Sequence, residues 1–395
     1  MLHHEASPWI VGLGAVSAAG ADVAGTLSTF HAGVRFPSTV APFPTSITCP
    51  TFQVDAQLPQ LPRWRNSSRT LRLAMCAVGE ALVSAQLEQI PPDVRVGVCL
   101  GTTVASQLNN LPFYDAYRRN ENPALGPVHE FLNANLAEAV ADVLQVCGPR
   151  MTVVNACSSG TDAIGIAASW IGAGLCDIAI AGGADELSLV PLAGFLSLGV
   201  MSDRPCQPFD RDRSGLNLGE GAGILILESA GHAESRRLEP AFALAGYGAG
   251  CDAYHLTGPH PDGRGLEAAV WMALEQAGIG PSEIGFINAH GTATQDNDRV
   301  EGNLIARLFG STTPFLSTKG YTGHTLGAAG GLEAVFTVLG LREGWIPSSV
   351  GFEIAADDIA AAPVRELTYI NGSHAISTSL AFGGNNAALV VKRAV

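Results

Sequence analysis

Hydrophobic positions fall into two textures along this chain. Short, nearly continuous apolar runs rich in β-branched residues recur at WIVGLGAVS (9–17), VRVGVCLGTT (94–103), MTVVNA (151–156), DIAIAGGAD (177–185) and GILILE (223–228). These runs predict strands, and apolar character on both faces predicts a sheet covered on both sides. Between them lie helical patterns: SRTLRLAMCAVGEALVSAQ (68–86) has a polar face, whereas the stretch from Thr161 to Trp170 is apolar nearly all round and predicts a buried helix. The composition turns polar around GHAESRRLEP (231–240), and the pattern then restarts. AFALAGYGAG reads as a strand, 265–278 as a helix, IGFINAH (284–290) as a strand, and a further helix follows His324. AISTSLAF and NAALVVK, joined by the turn GGN, close the chain as two strands. An α/β protein in two units, 1–239 and 240–395, is the organisation this predicts.

The two units resemble each other in layout more than in letters. In the first, a strand leads through a turn to Cys157 and an Ala/Gly-rich helix; in the second, PFLSTKGYTGHTLGAAGGLEAVFTVLGL leads to His324 and another such helix. Duplication is the simplest account. Two such helices packed about a pseudo-two-fold axis would bring thiol and imidazole together.

Composition narrows the class. The 395 residues are 47% hydrophobic and 15% charged, enough to bury a large core, and the 46 glycines fit close helix–sheet packing. No run of about 18 apolar residues suggests a membrane span, and the N-terminus lacks the charged and apolar regions of a secretion signal, so a cytoplasmic location is expected. Eight scattered cysteines without a CxxC pair suggest reduced thiols and argue against a zinc site. A formal charge of −14 argues against nucleic acid as a partner.

Three segments carry candidate chemistry. In NACSSG, Cys157 stands at a strand-to-helix turn, where free N–H groups would stabilise a thiolate and lower the thiol pKa. Simple packing is the competing explanation, because free cysteine is among the most buried residue types. NAHGTAT (288–294) places His290, and STKGYTGHTLGAAGG (317–331) places Lys319 and His324, each histidine entering a glycine-containing turn after a strand. That is where α/β folds carry catalytic groups, although a satisfied structural histidine is the ordinary alternative. Lys319 is one of only two lysines among 22 basic side chains, the other being Lys392, which suggests a requirement for a compact ammonium.

Taken in order, these motifs resemble the elongating Cys–His–His β-ketoacyl-acyl-carrier-protein synthases. RPCQPFDRDRSGLNLGEGAGILILE (204–228), GAGCDAYHLTGPHPDGRG (248–265) and LAFGGNNAALVV (380–391) extend the likeness over nearly the whole chain. The resemblance implies a thiolase-like fold of five alternating helix and sheet layers (αβαβα) with two pseudo-symmetric halves. It implies that Cys157 takes an acyl group, that the N–H groups of Cys157 and Phe382 form an oxyanion hole, and that the Phe382–Gly383 turn borders the substrate. His290 and His324 would stabilise the enolate left when a malonyl thioester loses CO2. Lys319 would order the site around the second histidine with Glu301 as its acidic neighbour, and Thr292 and Thr294 would contact the pantetheine arm. No cofactor is implied, since phosphopantetheine arrives on the acyl carrier protein. A homodimer is implied, with DIAIAGGAD as the interface strand; a heterodimer with a chain-length-factor-like subunit is the alternative.

Departures from the family pattern bear on specificity. Ala381 stands where glycine is usual, Gln295 where proline is frequent, and Ser214 where aspartate is common. They leave fatty-acid and polyketide or polyene elongation both open. A thiolase would need a second reactive cysteine near the C-terminus, and none follows Cys251. Initiating synthases pair one histidine with asparagine, unlike the Gly323–Thr325 motif, and non-catalytic chain-length subunits lack the nucleophile. For carrier docking the sequence offers Arg63, Arg65, Arg69 and Arg72, with a solvated helix start as the bland alternative.

Overall fold

The computed structural model describes residues 7–61, 67–103, 111–126, 128–129 and 135–394. Arg63 and Arg65 lie outside the described residues. The strands of the first half are β1 (Trp9–Ser17), β2 (Val96–Gly101), β3 (Arg150–Val153), β4 (Ile178–Asp185) and β5 (Gly221–Glu228). Those of the second are β6 (Phe242–Cys251), β7 (Ile284–Asn288), β8 (Phe315–Leu316), the small ribbon β9 (Trp345–Ile346) with β10 (Thr368–Tyr369), then β11 (His374–Ala381) and β12 (Asn385–Arg393).

Ten strands form one ladder in the order β3-β2-β4-β5-β1-β6-β12-β11-β7-β8. Among the described residues its two arms join through a short pairing in which Trp9 and Ile10 meet Ala243 and Phe242. Counted outward from that join, the arms run β1-β5-β4-β2-β3 and β6-β12-β11-β7-β8. In both, the first two pairings are antiparallel and the next two parallel. The likeness of layout seen in the letters is thus a likeness of topology.

The short join lets the arms fold over each other, and two helices fill the space between. The helix Ser159–Gly172 packs on β2 and β4 and also reaches β6 and β12; the helix Ala329–Glu343 packs on β4 and β5 and also on β11 and β12. Outside, Arg69–Ser84 covers β1, β4 and β5, and Arg264–Ala277 covers β6 and β12. The result is the five-layer αβαβα arrangement of the thiolase-like fold. Glycine lets the central pair approach. A Cβ on Gly330 would stand 2.0 Å from Thr161 Oγ1, and one on Gly160 would stand 2.7 Å from Gly331 N.

One expectation needs revision here. β4 is bonded on both sides, to β2 and β5, so DIAIAGGAD cannot continue a sheet into a second subunit. Among the described residues the free edge of this arm is β3, paired only to β2, with Met151 and neighbouring Val154 exposed. Among the described residues no helix is long and apolar enough to cross a membrane.

Candidate active site

Cys157 is placed by a strained turn. After β3 the chain reaches Ala156, a non-glycine residue at φ 48°, and the helix begins at Ser159. Left-handed geometry at alanine persists only where surroundings hold it. Here Ser159 Oγ accepts from Asn155 N (2.8 Å) and donates to Ala156 O (2.6 Å), while Ser158 Oγ donates to Asn155 O (2.9 Å). Asp162 gathers the Asn155 amide (2.6 Å), the Ser158 hydroxyl (2.8 Å) and, from the other half, the Tyr247 hydroxyl (2.8 Å).

Both histidines come from the second half. His290 follows β7, and its turn is pinned from behind. Glu301 accepts from the N–H groups of His290 and Gly291 (both 2.8 Å) and from Thr378 Oγ1 (2.7 Å). Asp298 accepts from the N–H groups of Phe209, Thr292 and Ala293. His324 is held against the first half by bonds of its N–H to Asn217 O (2.8 Å) and of its carbonyl to Gly219 N (2.9 Å).

The three reactive side chains converge. One ligand atom each from Cys157, His290 and His324 lie within 4.8 Å of one another, all three residues are buried, and the imidazole rings stand edge to face at 5.2 Å. Among the described residues this is the one cluster of histidine, cysteine and carboxylate atoms with the spacing to hold a metal ion.

Hydrogen bonds fix the tautomers of both rings. The backbone N–H of Leu326 donates to His324 Nδ1 (3.1 Å), and the Lys319 ammonium lies 3.0 Å from His290 Nδ1. With Nδ1 accepting in each ring, the proton of each neutral imidazole sits on Nε2. Burial holds both histidines well below the usual imidazole range, and the nearby Lys319 charge adds to it. The rings are therefore neutral N–H donors at physiological pH.

Lys319 departs from expectation in two ways. Its ammonium orders His290, through Nδ1 and the carbonyl oxygen (2.6 Å), and not His324. Its carboxylate partner is Glu333, one turn into the central helix, and not Glu301, whose oxygens serve backbone N–H groups. Lys319 and Glu333 are both almost fully buried. Burial pushes the Glu333 carboxyl up to about 7, against the pull of Lys319. The signal for Glu333 was present in the letters: it is the one charged residue in the otherwise apolar or small stretch from Leu326 to Leu341. Among the described residues its Oε2, like Asn288 Oδ1 and Ser377 Oγ, has no hydrogen-bond partner. Asn288 pairs with Ser377 across β7 and β11 and donates to Glu333 O (3.0 Å).

Cys157 also differs from expectation. Burial pushes its thiol up, to about 12, while Lys319 and the N–H of Phe382 act in the opposite direction. Phe382 stands in a turn that requires Gly383 (φ 87°) and Gly384 (φ 78°), and its ring stacks on Phe195 at 5.3 Å.

A cavity of about 520 Å³ leads to these groups, lined among others by Thr292, Thr294, Gln295, Ser214, Arg299 and Phe382. The Thr292 and Thr294 hydroxyls bond each other at 2.8 Å. Gln295 caps the wall by donating to Arg213 O (2.6 Å), and Ser214 shares a hydrogen bond with Ser202 (2.8 Å). Of the arginines offered for docking, Arg69 is bound bidentately to buried Glu220, and Arg72 donates to the carbonyls of Pro59 and Leu58.

The chain matches the β-ketoacyl synthase N-terminal domain over residues 40–233 and the C-terminal domain over 241–353. It is 35% identical over 352 residues to 3-oxoacyl-[acyl-carrier-protein] synthase 2 of Synechocystis, covering 83% of this chain and 82% of that one, and 34% identical to its Staphylococcus aureus counterpart, with 83% of each covered. Among solved structures it is similar to the ishigamide ketosynthase/chain length factor (28% identity, TM-score 0.91, 98% and 99% of the chains covered). It is also similar to a ketosynthase in complex with its chain length factor from Xenorhabdus doucetiae (32%, TM-score 0.83, 98% of each). Two domain matches that together span most of the chain, and relatives more than 30% identical over more than four fifths of it, show that the chain belongs to the β-ketoacyl synthase family of acyl-transferring enzymes.

Proposed function

We propose that the site carries out a decarboxylating Claisen condensation in two stages. In the first, Cys157 Sγ attacks the carbonyl carbon of an acyl thioester on acyl carrier protein. The C–S bond to the carrier breaks, the acyl-Cys157 bond forms, and the thiol proton leaves with the carrier thiol. The N–H groups of Cys157 and Phe382 stabilise the tetrahedral oxyanion. In the second, the carbonyl oxygen of a malonyl thioester is held between the Nε2–H groups of His290 and His324. Loss of CO2 leaves an enolate there, and its carbon attacks acyl-Cys157; the C–S bond breaks, β-ketoacyl carrier protein is released, and Cys157 leaves as a thiolate that takes its proton back from water. The observation that carries this reading is the double occupation of Nδ1, by Leu326 N–H and by Lys319, which leaves both imidazoles as donors. Neutral donors suit a developing negative charge. Single-turnover acylation from labelled acyl carrier, followed by a malonyl carrier chase, tests it: His324→Ala should still form acyl-Cys157 and fail in the chase, and lost acylation with intact decarboxylation would sink the assignment.

The pantetheine arm would pass Thr292 and Thr294 in the cavity, and the reaction needs no cofactor of its own. The halves 1–239 and 240–395 would then divide the labour, thiol from one and imidazoles from the other, in a cytoplasmic enzyme.

Carrier docking falls to Arg63 and Arg65, with Arg69 and Arg72 in supporting roles because their guanidinium groups already serve Glu220 and loop carbonyls. Arg63→Glu with Arg65→Glu should raise KM for carrier-bound substrate several-fold and spare small acyl thioesters, since encounter and not chemistry is touched. An equal loss with both would remove the docking role.

For assembly we propose a dimer through the free edge of β3, where Met151 and Val154 are exposed. A chain-length-factor-like partner is the second reading, favoured by two structural relatives that carry such a subunit and are matched over 98% of this chain. Val154→Asp should turn a dimer into a monomer in light scattering. A wild-type chain that is monomeric alone, and dimeric only when coexpressed with such a subunit, selects the heterodimer.

A further inference from the structure

Asp185 ends β4 and is completely buried, yet nothing in the two-stage reaction uses it. All its hydrogen bonds are received. Oδ1 accepts from Thr102 Oγ1 (2.6 Å), and Oδ2 accepts from Thr103 N (2.9 Å), Thr103 Oγ1 (2.9 Å) and Gly327 N (2.7 Å). The two threonines follow β2 in the first half, whereas Gly327 belongs to the turn after His324 in the second. One carboxylate thus ties the end of the first arm to the turn that carries an imidazole.

That turn is the one that sets the His324 tautomer. Leu326, whose N–H reaches His324 Nδ1, is a non-glycine residue at φ 56°, so the conformation needs outside support. The next peptide supplies it. Gly327 is clamped from several sides: a Cβ there would stand 2.6 Å from Thr102 Cα and 2.9 Å from Asp185 Oδ2, and its carbonyl would be 2.3 Å from a Cβ on Gly183. Asp185 makes the one side-chain bond to the Gly327 N–H.

We propose that Asp185 is a positioning residue for condensation: by accepting from Gly327 N–H it holds the strained Leu326–Gly327 turn, keeps Leu326 N–H on His324 Nδ1, and so keeps the His324 proton on Nε2. His290 receives its tautomer from Lys319 and is independent of this device. The inference rests on the reading of His324 as an N–H donor in decarboxylation.

The role is hydrogen-bond acceptance, not charge, and this fixes the variants. In Asp185→Asn the amide oxygen can take the place of Oδ2, and the amide N–H₂ can donate to Thr102 Oγ1, which also accepts. In Asp185→Ala the N–H groups of Gly327 and Thr103 lose their acceptor. The experiment pairs single-turnover kinetics with ¹⁵N NMR of the histidine rings. Asp185→Ala should slow the malonyl chase by roughly ten- to a hundredfold, less than full loss of a donor, while acylation of Cys157 stays within about threefold. Its His324 ring nitrogens should lose the fixed Nε2–H pattern and its His290 nitrogens should keep theirs. Asp185→Asn should stay near wild type in both measurements. If Asp185→Ala does not fold, the double variant Thr102→Val, Thr103→Val frees the carboxylate to swing from Gly327 and should give the same His324-only change at smaller amplitude. An unchanged His324 pattern in the folded variant, or equal losses in the asparagine and alanine variants, overturns the proposal. Normal condensation by His324→Ala would instead remove the donor reading while leaving the control of the ring by Asp185 measurable.

Discussion

The turn at Cys157 and the turn at His324 occupy equivalent places in the two halves, and they are built differently. Around Cys157 the supports are mainly local and polar: Asn155, Ser158, Ser159 and Asp162 bond one another within eight residues, and Tyr247 alone joins them from the other half. The helix that follows is partly open to solvent, with Ser169 exposed. Around His324 the supports are remote. Asn217, Gly219 and Asp185 all come from the other half, and the helix that follows is buried at every position from Ala329 to Leu341. A nucleophile that must accept and release an acyl group is held by its own segment. The donor that must meet a developing charge is fixed by the whole fold, so preorganisation is delivered where the transition state needs it.

Removing each reactive group separates the two turns most sharply. Cys157→Ser should lower acylation by roughly 10⁴-fold or more, because a buried hydroxyl is a far poorer nucleophile than a thiol. His324→Ala and His290→Ala should keep acylation and slow condensation by about 10²–10³, near 3 kcal/mol of barrier. Rapid-quench measurement of acyl-enzyme and of released CO2 separates the stages. Acylation falling in parallel with condensation in both histidine variants would erase the contrast between the halves.

Next in size is the contact that joins the turns. Gly330→Ala would press a methyl onto Thr161 Oγ1 across the central helix pair, and overpacking of this kind costs about 1–3 kcal/mol. Urea denaturation reads it, and an unchanged midpoint would show that the pair can spread without penalty.

The smallest effect is on pH. His324 is held neutral in the folded state, its pKa well below the usual value, whereas the unfolded chain takes up the proton near 6.5. The group's contribution is therefore fully present above about pH 6.5 and lost as pH falls below it, by up to about 1.4 kcal/mol per pH unit. Buried carboxyls raised by desolvation, such as Glu186, act in the opposite sense on acidification. The measurement is thus the stability of wild type minus that of His324→Gln at pH 7.5 and 5.5, a difference that should shrink at the lower pH. A difference independent of pH would mean the ring is not held neutral.

Much of this was legible in the letters. The apolar run at 9–17 coincides with β1 (Trp9–Ser17), and Cys157, His290 and His324 stood out by motif and by place at strand ends. The misreadings share a cause. DIAIAGGAD looked fit for an interface because an interior strand and an interface strand are equally apolar, and only the ladder shows β4 bonded on both sides. Glu301 looked fit to neighbour Lys319 because motif order does not tell which of two buried acids meets the ammonium. The thiol's position at a helix start was visible, but the burial that pushes it up was not.

By itself the sequence determined the alternation of strands and helices, the duplicated layout, and the identity of the reactive atoms, because each depends on local pattern and residue chemistry. Only the tertiary structure decided which groups answer to which: Lys319 to His290 and Glu333, Leu326 N–H to His324, Asp185 to Gly327. Those pairings span up to 142 residues and depend on how two sheets fold about one short join, where a shift of an ångström breaks a hydrogen bond and leaves the apolar pattern unchanged.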